Sequence, residues 1–311
     1  MSKANLRKFD PVSDKRSVYE IYQEVLGVKW PLDQDSFNEV LDHKSTVAYV
    51  AIVSGKAVGF IITQTNSNSR KGSLILICVK KEFQRKRIGS ELVHISLGIL
   101  NKRGVKQVQL GAGGKTYLWP GVPTNLPQAI RFFKSCGFKY SETSYDLIGD
   151  LSQYSTPSWV YERTQKYNIG FQLANEKDAD KILEFEKKHF PEWYDPFSAK
   201  IENKDYGDIL YAKDNEILGT VLLTSRDSNF KGTILQWQGI LGLNMGGFGA
   251  LGITKNARDK GIGMGLAARA SEILKQMSVE KCFLGWTWLV EWYAKLGYKV
   301  WREYKMSWKN L

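Results

Sequence analysis

The residues Arg258-Asp259-Lys260-Gly261-Ile262-Gly263-Met264-Gly265 combine positive charge with alternating glycines. They stand between the apolar stretch Leu251-Gly252-Ile253-Thr254, which reads as the end of a buried strand, and apolar residues at helical spacing from Leu266 to Leu274. A turn that opens into a helix offers unpaired backbone N–H groups and a partial positive charge, and glycine lets an anion approach that backbone. The spacing narrows the choice of anion. A dinucleotide fingerprint needs G-x-G-x-x-G and an acid about 20 residues on, and a Walker A loop ends in Gly-Lys-Ser/Thr. Here the pattern is R-x-x-G-x-G, an anion cradle of neither kind.

The chain carries this arrangement twice. Ser73–Val79 is a compact apolar run, followed by Gln84-Arg85-Lys86-Arg87-Ile88-Gly89-Ser90 and an amphipathic helix from Glu91 to about Arg103. Downstream, Ala129–Phe138 answers Leu289–Tyr298: each reads as a short helix ended by a glycine, Gly137 or Gly297, before an aromatic that starts a strand. The longer spacing in the first copy is placed in a Gly- and Pro-rich insertion, Gly111–Pro123.

Each copy predicts the order β-α-α-β-β-β-α-β-α-β-β. In the first, Asn5–Phe9 is a strand, Val18–Leu26 a helix broken at Trp30-Pro31, and Thr46–Val53 with Lys56–Gln64 a hairpin around Ser54-Gly55. Lys106–Leu110 follows the loop helix, and Lys139–Leu147 closes the unit. In the second, Phe171–Leu173 is a strand, and Asp178 or Asp180 caps a helix over Ile182–Lys188 that breaks at Phe190-Pro191. Asp208–Ala212 and Ile217–Ser225 pair, Ile234–Trp237 leads toward the central strand, Cys282–Trp286 is a core strand, and Lys299–Trp308 closes the sheet. The polar, Pro-containing stretch Ser152–Lys166 marks the boundary, giving domains 1–155 and 166–311.

The doubled pattern resembles the GNAT superfamily of N-acetyltransferases over about residues 3–150 and 168–310, and R-x-x-G-x-G is similar to that superfamily's pyrophosphate loop. The resemblance implies an α/β fold of two tandem GNAT-like domains, each a mixed, mostly antiparallel sheet flanked by helices with a splayed central strand. It implies acetyl-CoA as cosubstrate, with Gly252, Ile253, Arg258, Asp259, Lys260, Gly261, Ile262, Gly263, Met264 and Gly265 binding it in the second copy. The matching residues of the first are Val79, Gln84, Arg85, Lys86, Arg87, Ile88, Gly89 and Ser90. Phe190-Pro191-x-Trp193, Gly247-x-Gly249-x-Leu251-Gly252-Ile253 and Pro120-Gly121-Val122-Pro123 look like a bacterial two-domain group, some of whose relatives are associated with amino-sugar-releasing glycosidases.

Amide formation needs a neutral amine, a donor for the oxyanion and a proton for the departing thiolate. By the motif positions that the resemblance supplies, the oxyanion donor falls near Ile253, or near Val79 in the first copy, and the proton donor is Tyr293. Phe133 stands in its place in the first copy and carries no proton, leaving Tyr117 or Tyr140 as other donors there. Arg87 replaces the first loop glycine, adding charge but also a Cβ, and backbone donation there requires that its φ stay negative. The second copy is therefore expected to be catalytic. No general base stands out: Glu192, Asp195 and Glu216 are candidates by position alone. Trp193, Tyr194, Trp237, Trp286, Trp288 and Trp292 are candidates for an acceptor pocket or for packing.

Composition bounds these readings. A chain of 311 residues with 43% hydrophobic residues has room for two cores. No apolar run reaches the roughly 18 residues of a membrane span, and no secretion signal is read at the N-terminus. Cys78, Cys136 and Cys282, an odd set in apolar surroundings, suit reduced thiols in a cytoplasm, and neither they nor the three histidines have metal-ligand spacing. The net charge of +12 fits solubility and phosphate binding; nucleic acid is a weaker expectation, since no recognition motif accompanies it. Two functions follow. One is an acetyl-CoA-dependent N-acetyltransferase working by direct transfer in a ternary complex on a small amine such as an amino sugar or aminoglycoside, with no metal and no membrane. The other is a non-catalytic CoA-binding or scaffold protein, one that could associate with nucleic acid.

Overall fold

The computed structural model describes residues 4–66, 70–111 and 118–311. The chain forms two compact units: residues 1–145 with 302–311, and residues 146–301.

In the first unit the strands are β1 (Asn5–Lys8), β2 (Thr46–Val53), β3 (Lys56–Asn66), β4 (Lys71–Val79), β5 (Gln107–Leu110), β6 (Val122–Pro123) and the start of β7 (Tyr140–Asp150). The helices are α1 (Lys15–Tyr22), α2 (Gln34–Asp42), α3 (Ile88–Lys102) and α4 (Pro127–Ser135). Asp33 caps α2 by accepting from the Ser36 amide at 2.8 Å. Ser54 and Gly55 both have positive φ, 48° and 77°, as the two-residue turn of the β2–β3 hairpin requires. Strands β1 to β4 are antiparallel neighbours, and β4 then runs parallel to β5.

In the second unit α5 (Glu162–Lys166) precedes β8 (Gly170–Leu173), α6 (Ala179–His189), α7 (Tyr194–Glu202), β9 (Ile209–Lys213) and β10 (Ile217–Thr224). Then come α8 (Gln238–Leu241), β11 (Met245–Ile253), α9 (Ile262–Gln276), β12 (Lys281–Thr287), α10 (Val290–Ala294) and the start of β13 (Lys299–Asn310). β8, β9, β10 and β11 are antiparallel in turn, and β11 is parallel to β12. Apart from β6, the five strands β1 to β5 are therefore repeated in order by β8 to β12.

Ile234–Trp237, which leads toward the central strand, is a 3₁₀ turn continuing into α8, with Leu235 and Trp237 buried. Two sequence expectations change. Asp178 heads α6 without capping it through its side chain; it caps the preceding turn with Asn175. The closing strands also fall differently from the boundary read in the sequence. Ser152–Lys166 lies within the second unit, whereas β13 passes its residues 302–310 to the first, where Trp308 pairs with Gln109 and Tyr304 with Pro123. In the second unit, Asp146–Asp150 of β7 lies beside β12: Leu151 N–H donates to the Glu280 carbonyl at 2.8 Å and Asp146 Oδ1 accepts from Trp286 N–H at 2.8 Å. A strand's local pattern fixes its faces but not its non-local partner.

The first unit packs Leu92, Val93 and Leu100 of α3 with Ile61, Leu74, Val108, Phe133 and Phe138. On one face of the second sheet Ile182 and Phe197 cover Ile209, Tyr211 and Leu222.

Candidate active site

Parallel pairing of β11 with β12 runs only from Met245–Lys281 to Gly247–Phe283, although β11 continues to Ile253. In the first unit, β4 pairs with β5 only as far as Leu74–Leu110 and continues to Val79. Each central strand thus parts from its parallel neighbour and leaves backbone groups of its last residues without that partner. A bulge accompanies the parting: register shifts where β10 meets β11 and where β3 meets β4, and Ala250 has φ of 49°.

Beyond the strand the two loops share one conformation. Asp259 and Gly261 have φ of 65° and 81°, and their counterparts Arg85 and Arg87 have 59° and 67°. The condition set for Arg87, a negative φ, is therefore not met: the backbone path demands the left-handed region, so Arg87 bears strain that Gly261 avoids. Alternating left- and right-handed residues make a concave nest of N–H groups. Gly261 and Arg87 are the N-caps of α9 and α3, neither helix has a side-chain cap, and the first-turn amides remain for an anion. These features fit the diphosphate of CoA, which when bound would supply the acetyl thioester.

The loop residues divide by role. Arg258 and Asp259 are exposed, as are Gln84, Arg85, Lys86, Arg87 and Ser90. Lys260 lies over the Tyr167 ring at 5.5 Å, and Gln84 Nε2 donates to the Val79 carbonyl at 2.9 Å. Ile262, Met264 and Ile88 are buried, so they can offer an anion only their backbone. Gly265 has a packing cause, since a Cβ there would lie 2.3 Å from Phe171, whereas Gly263 and Gly89 sit under Trp292 and Phe132, whose rings would lie 3.4 and 3.2 Å from a Cβ. Ile253 and Val79 end their strands half-buried. The back of the second loop is held by the segment before β8: Arg163 Nη1 donates to the Asp259 carbonyl at 3.4 Å, and a Cβ on Gly261 would meet Arg163 Cβ at 2.9 Å.

Tyr293 lies on α10 against Trp292, Phe248 and Tyr298, at ring-centroid distances of 4.6, 6.2 and 6.0 Å. Its hydroxyl makes no hydrogen bond among the described residues, unlike that of Tyr298, which meets Ser271 Oγ at 2.7 Å. Burial pushes the Tyr293 phenol above its ordinary pKa, so it keeps its proton at neutral pH. In the first unit Phe132, Phe133 and Phe138 repeat the arrangement of Trp292, Tyr293 and Tyr298 without a hydroxyl. Tyr140 donates its hydroxyl to the Ile130 carbonyl at 3.1 Å, and Tyr117 lies outside the described residues. Trp119 donates its indole N–H to the Ile75 carbonyl at 3.0 Å, taking up a β4 backbone acceptor just where that strand leaves β5.

The aromatic residues do not form one pocket. Phe190 and Trp193 stack, with centroids 5.2 Å apart, and lie where a Cβ on Gly252 would meet them at 2.7 and 2.9 Å. Trp237 is buried against Trp301, and Trp288 is exposed beside Trp286. Tyr194 opens α7 half-buried.

Glu192, Asp195 and Glu216 are exposed. The acid that stands out is Glu186 on α6, fully buried, with Oε1 accepting from Thr220 Oγ1 at 2.6 Å and Oε2 without a hydrogen-bond partner among the described residues. Burial pushes its carboxyl up to about 7; the charge of Glu192 adds to the rise and the Thr220 hydroxyl opposes it. Thr220 is the register partner of Gly252. One signal for Glu186 is present in the sequence: with Ile182 and Phe185 it completes an i, i+3, i+4 stripe on the buried face of α6.

A parted central strand, a nest and an uncapped helix in each unit define an acetyltransferase fold of the GNAT type. Residues 44–140 match the family described as "Acetyltransferase (GNAT) domain", and the chain as a whole shares the two-domain fold of tandem GNAT proteins. It is similar, at 28% identity and a TM-score of 0.92, to a GCN5-related glucosamine N-acetyltransferase region in a fungal multi-domain GH3 β-N-acetylglucosaminidase, over 99% of this chain and 38% of that one. The chain thus spans well under half the length of that protein. A GCN5-related N-acetyltransferase from Sphaerobacter thermophilus shares the fold, with 15% identity, a TM-score of 0.73, and 99% and 95% of the two chains covered. So does a tandem GNAT protein from the clavulanic acid biosynthesis pathway, with 12% identity, a TM-score of 0.66, and 99% and 98% covered. No curated protein matches at a significant level. Among the described residues no helix is long and apolar enough to cross a membrane, and no group of His, Cys, Asp and Glu is placed to hold a metal ion.

Proposed function

We propose that the second unit transfers the acetyl group of acetyl-CoA to the primary amine of a small amino sugar, directly within a ternary complex, and that the first unit does no chemistry. The observation that carries this reading is the asymmetry between otherwise matching repeats. Tyr293 stands at the position of Phe133, Glu186 at that of Tyr22, Thr220 at that of Phe60, and Gly261 at that of Arg87. Every one of these differences puts the chemically competent residue in the second unit.

In this reading the amides of 259–265 and the α9 N-terminus hold the diphosphate, with Arg258, Lys260 and Arg163 adding positive charge around it. The backbone N–H near Ile253 donates to the developing oxyanion, in a setting where a fixed donor is worth more than in water. Tyr293 gives its proton to the sulfur as the C–S bond breaks and regains one from solvent, while the nitrogen loses two protons as the C–N bond forms. The net result is one acetamide, one thiol and one proton released. The likeness to the glucosamine N-acetyltransferase region supports the acceptor class. Three free cysteines, two of them buried, support a reducing compartment such as the cytoplasm.

The test is thiol release from acetyl-CoA with glucosamine, an aminoglycoside and simple alkylamines. Release with an amino sugar, lost in Tyr293→Phe while acetyl-CoA affinity is kept, is the expected result. Acetyl-CoA binding without turnover on any amine would favour a CoA-binding scaffold instead.

A further inference from the structure

An amine that reaches this site at neutral pH is an ammonium, and something must seat it and take its proton. We propose that Glu186, held by Thr220 on the face of β10 and β11 that also carries Phe190 and Trp193, is the seat of the acceptor's ammonium and the acceptor of its proton. This rests on reading the second unit as an amine acetyltransferase.

Four observations converge on one spot. Glu186 is fully buried, yet its Oε2 has no hydrogen-bond partner among the described residues, a costly state for a carboxyl group unless something binds there. Its other oxygen is fixed by Thr220 at 2.6 Å. Thr220 sits across the ladder from Gly252, next to Ile253 at the end of the parted strand. The stacked rings of Phe190 and Trp193 lie against Gly252 on the face that Thr220 shares, one helical turn beyond Glu186. A carboxylate and aromatic rings gathered on one face of a strand pair draw a cation, the first through charge and the second through the ring quadrupole.

The first unit supplies the control. Its register pair at this place is Phe60 with Cys78, and Tyr22 occupies the helix position, donating its hydroxyl to the Trp30 carbonyl. At that position no acid is buried among the described residues, in the unit whose α4 also lacks a tyrosine. Two independent positions on different elements thus differ together, as a two-proton reaction confined to one unit requires. The step itself is simple: one N–H bond of the ammonium breaks, one O–H bond forms on Glu186 Oε2, and the neutral amine keeps its lone pair for attack. Glu192, nearby, raises the negative potential of the seat and favours the cation's arrival.

The experiment titrates glucosamine, butylamine and, as the uncharged control, glucose into the CoA-loaded protein by calorimetry, for wild type, Glu186→Gln and Thr220→Val. The amines are expected to bind wild type, to bind Glu186→Gln about 10- to 100-fold more weakly, as fits loss of a charge-assisted hydrogen bond, and glucose to bind none of them well. CoA affinity is expected to be unchanged. Where turnover is measured, the acidic limb of kcat/KM against pH is expected in wild type and absent in Glu186→Gln. Equal amine affinity in wild type and Glu186→Gln, or no amine binding to wild type, would overturn the seat. Amine binding that depends on Glu186 without any thiol release would leave the seat standing and remove the transferase reading.

Discussion

Replacing Glu186 by glutamine should make the protein more stable at alkaline pH while making it a worse enzyme. In the folded chain burial holds the carboxyl neutral up to about 7, against an ordinary value of 4.5. The folded state therefore binds more protons than the unfolded state between these values. The stabilisation tied to the neutral acid is whole below about 4.5, falls as pH rises through that window, and is lost above about 7. Each tenfold change in proton affinity is worth about 1.36 kcal/mol, so the loss is on the order of 3 kcal/mol. Glutamine carries no such penalty, but its amide replaces the Thr220 contact with a weaker one, at about 1 kcal/mol. The net expectation is a gain of about 2 kcal/mol at pH 8 and none, or a small loss, near pH 4.5. Urea unfolding of both proteins at half-unit steps from about pH 4.5 to 8.5 isolates this group, because the other titrating residues cancel in the difference. A difference that stays flat across this range would refute the burial argument, and with it the view that the site keeps this carboxyl desolvated.

Three further outcomes are expected. Tyr293→Phe should lower kcat about 100-fold or more, the usual reach of a positioned acid, with acetyl-CoA binding intact by calorimetry; a variant as fast as wild type would dismiss the phenol. Gly261→Ala forces a left-handed alanine, costing about 1–2 kcal/mol, and drives its methyl toward Arg163 Cβ. Weaker acetyl-CoA binding and a lower melting temperature should appear together, and unchanged binding would mean that the nest does not hold the ligand. Removing residues 302–311 should unfold the first unit while sparing the second, seen as loss of one set of protected amides in hydrogen exchange. Retained protection of β4 and β5 would show that β13 is dispensable there.

Much of this architecture is legible in the amino-acid pattern, for reasons that are local. The hairpin at Ser54-Gly55, the strand ending at Ile253, and the helices closed by Gly137 and Gly297 each follow from a few neighbouring residues. The Gly297 turn even repeats the bonds of the Gly137 turn, with Tyr298 N–H returning to Tyr293 as Phe138 N–H returns to Phe133. Glu186 escapes such a reading because an acid on an amphipathic helix is ordinarily a surface charge; only the depth at which α6 packs on Thr220 changes its meaning. The strain at Arg87 is hidden for a related cause, since a basic residue near a phosphate loop looks useful whatever its φ. The destinations of β7 and β13 depend on partners far away in the chain, where pattern is silent.

Those destinations reach into how the protein is made. The sheet of the first unit is completed by residues 302–311, so on a ribosome the earlier-born half stays unfinished until the whole of the second unit has been synthesised. A chain released before that point would expose the flank of β5, an unpaired edge of the kind that recruits other chains. No single cut of the chain can therefore part the two units, each with its whole fold.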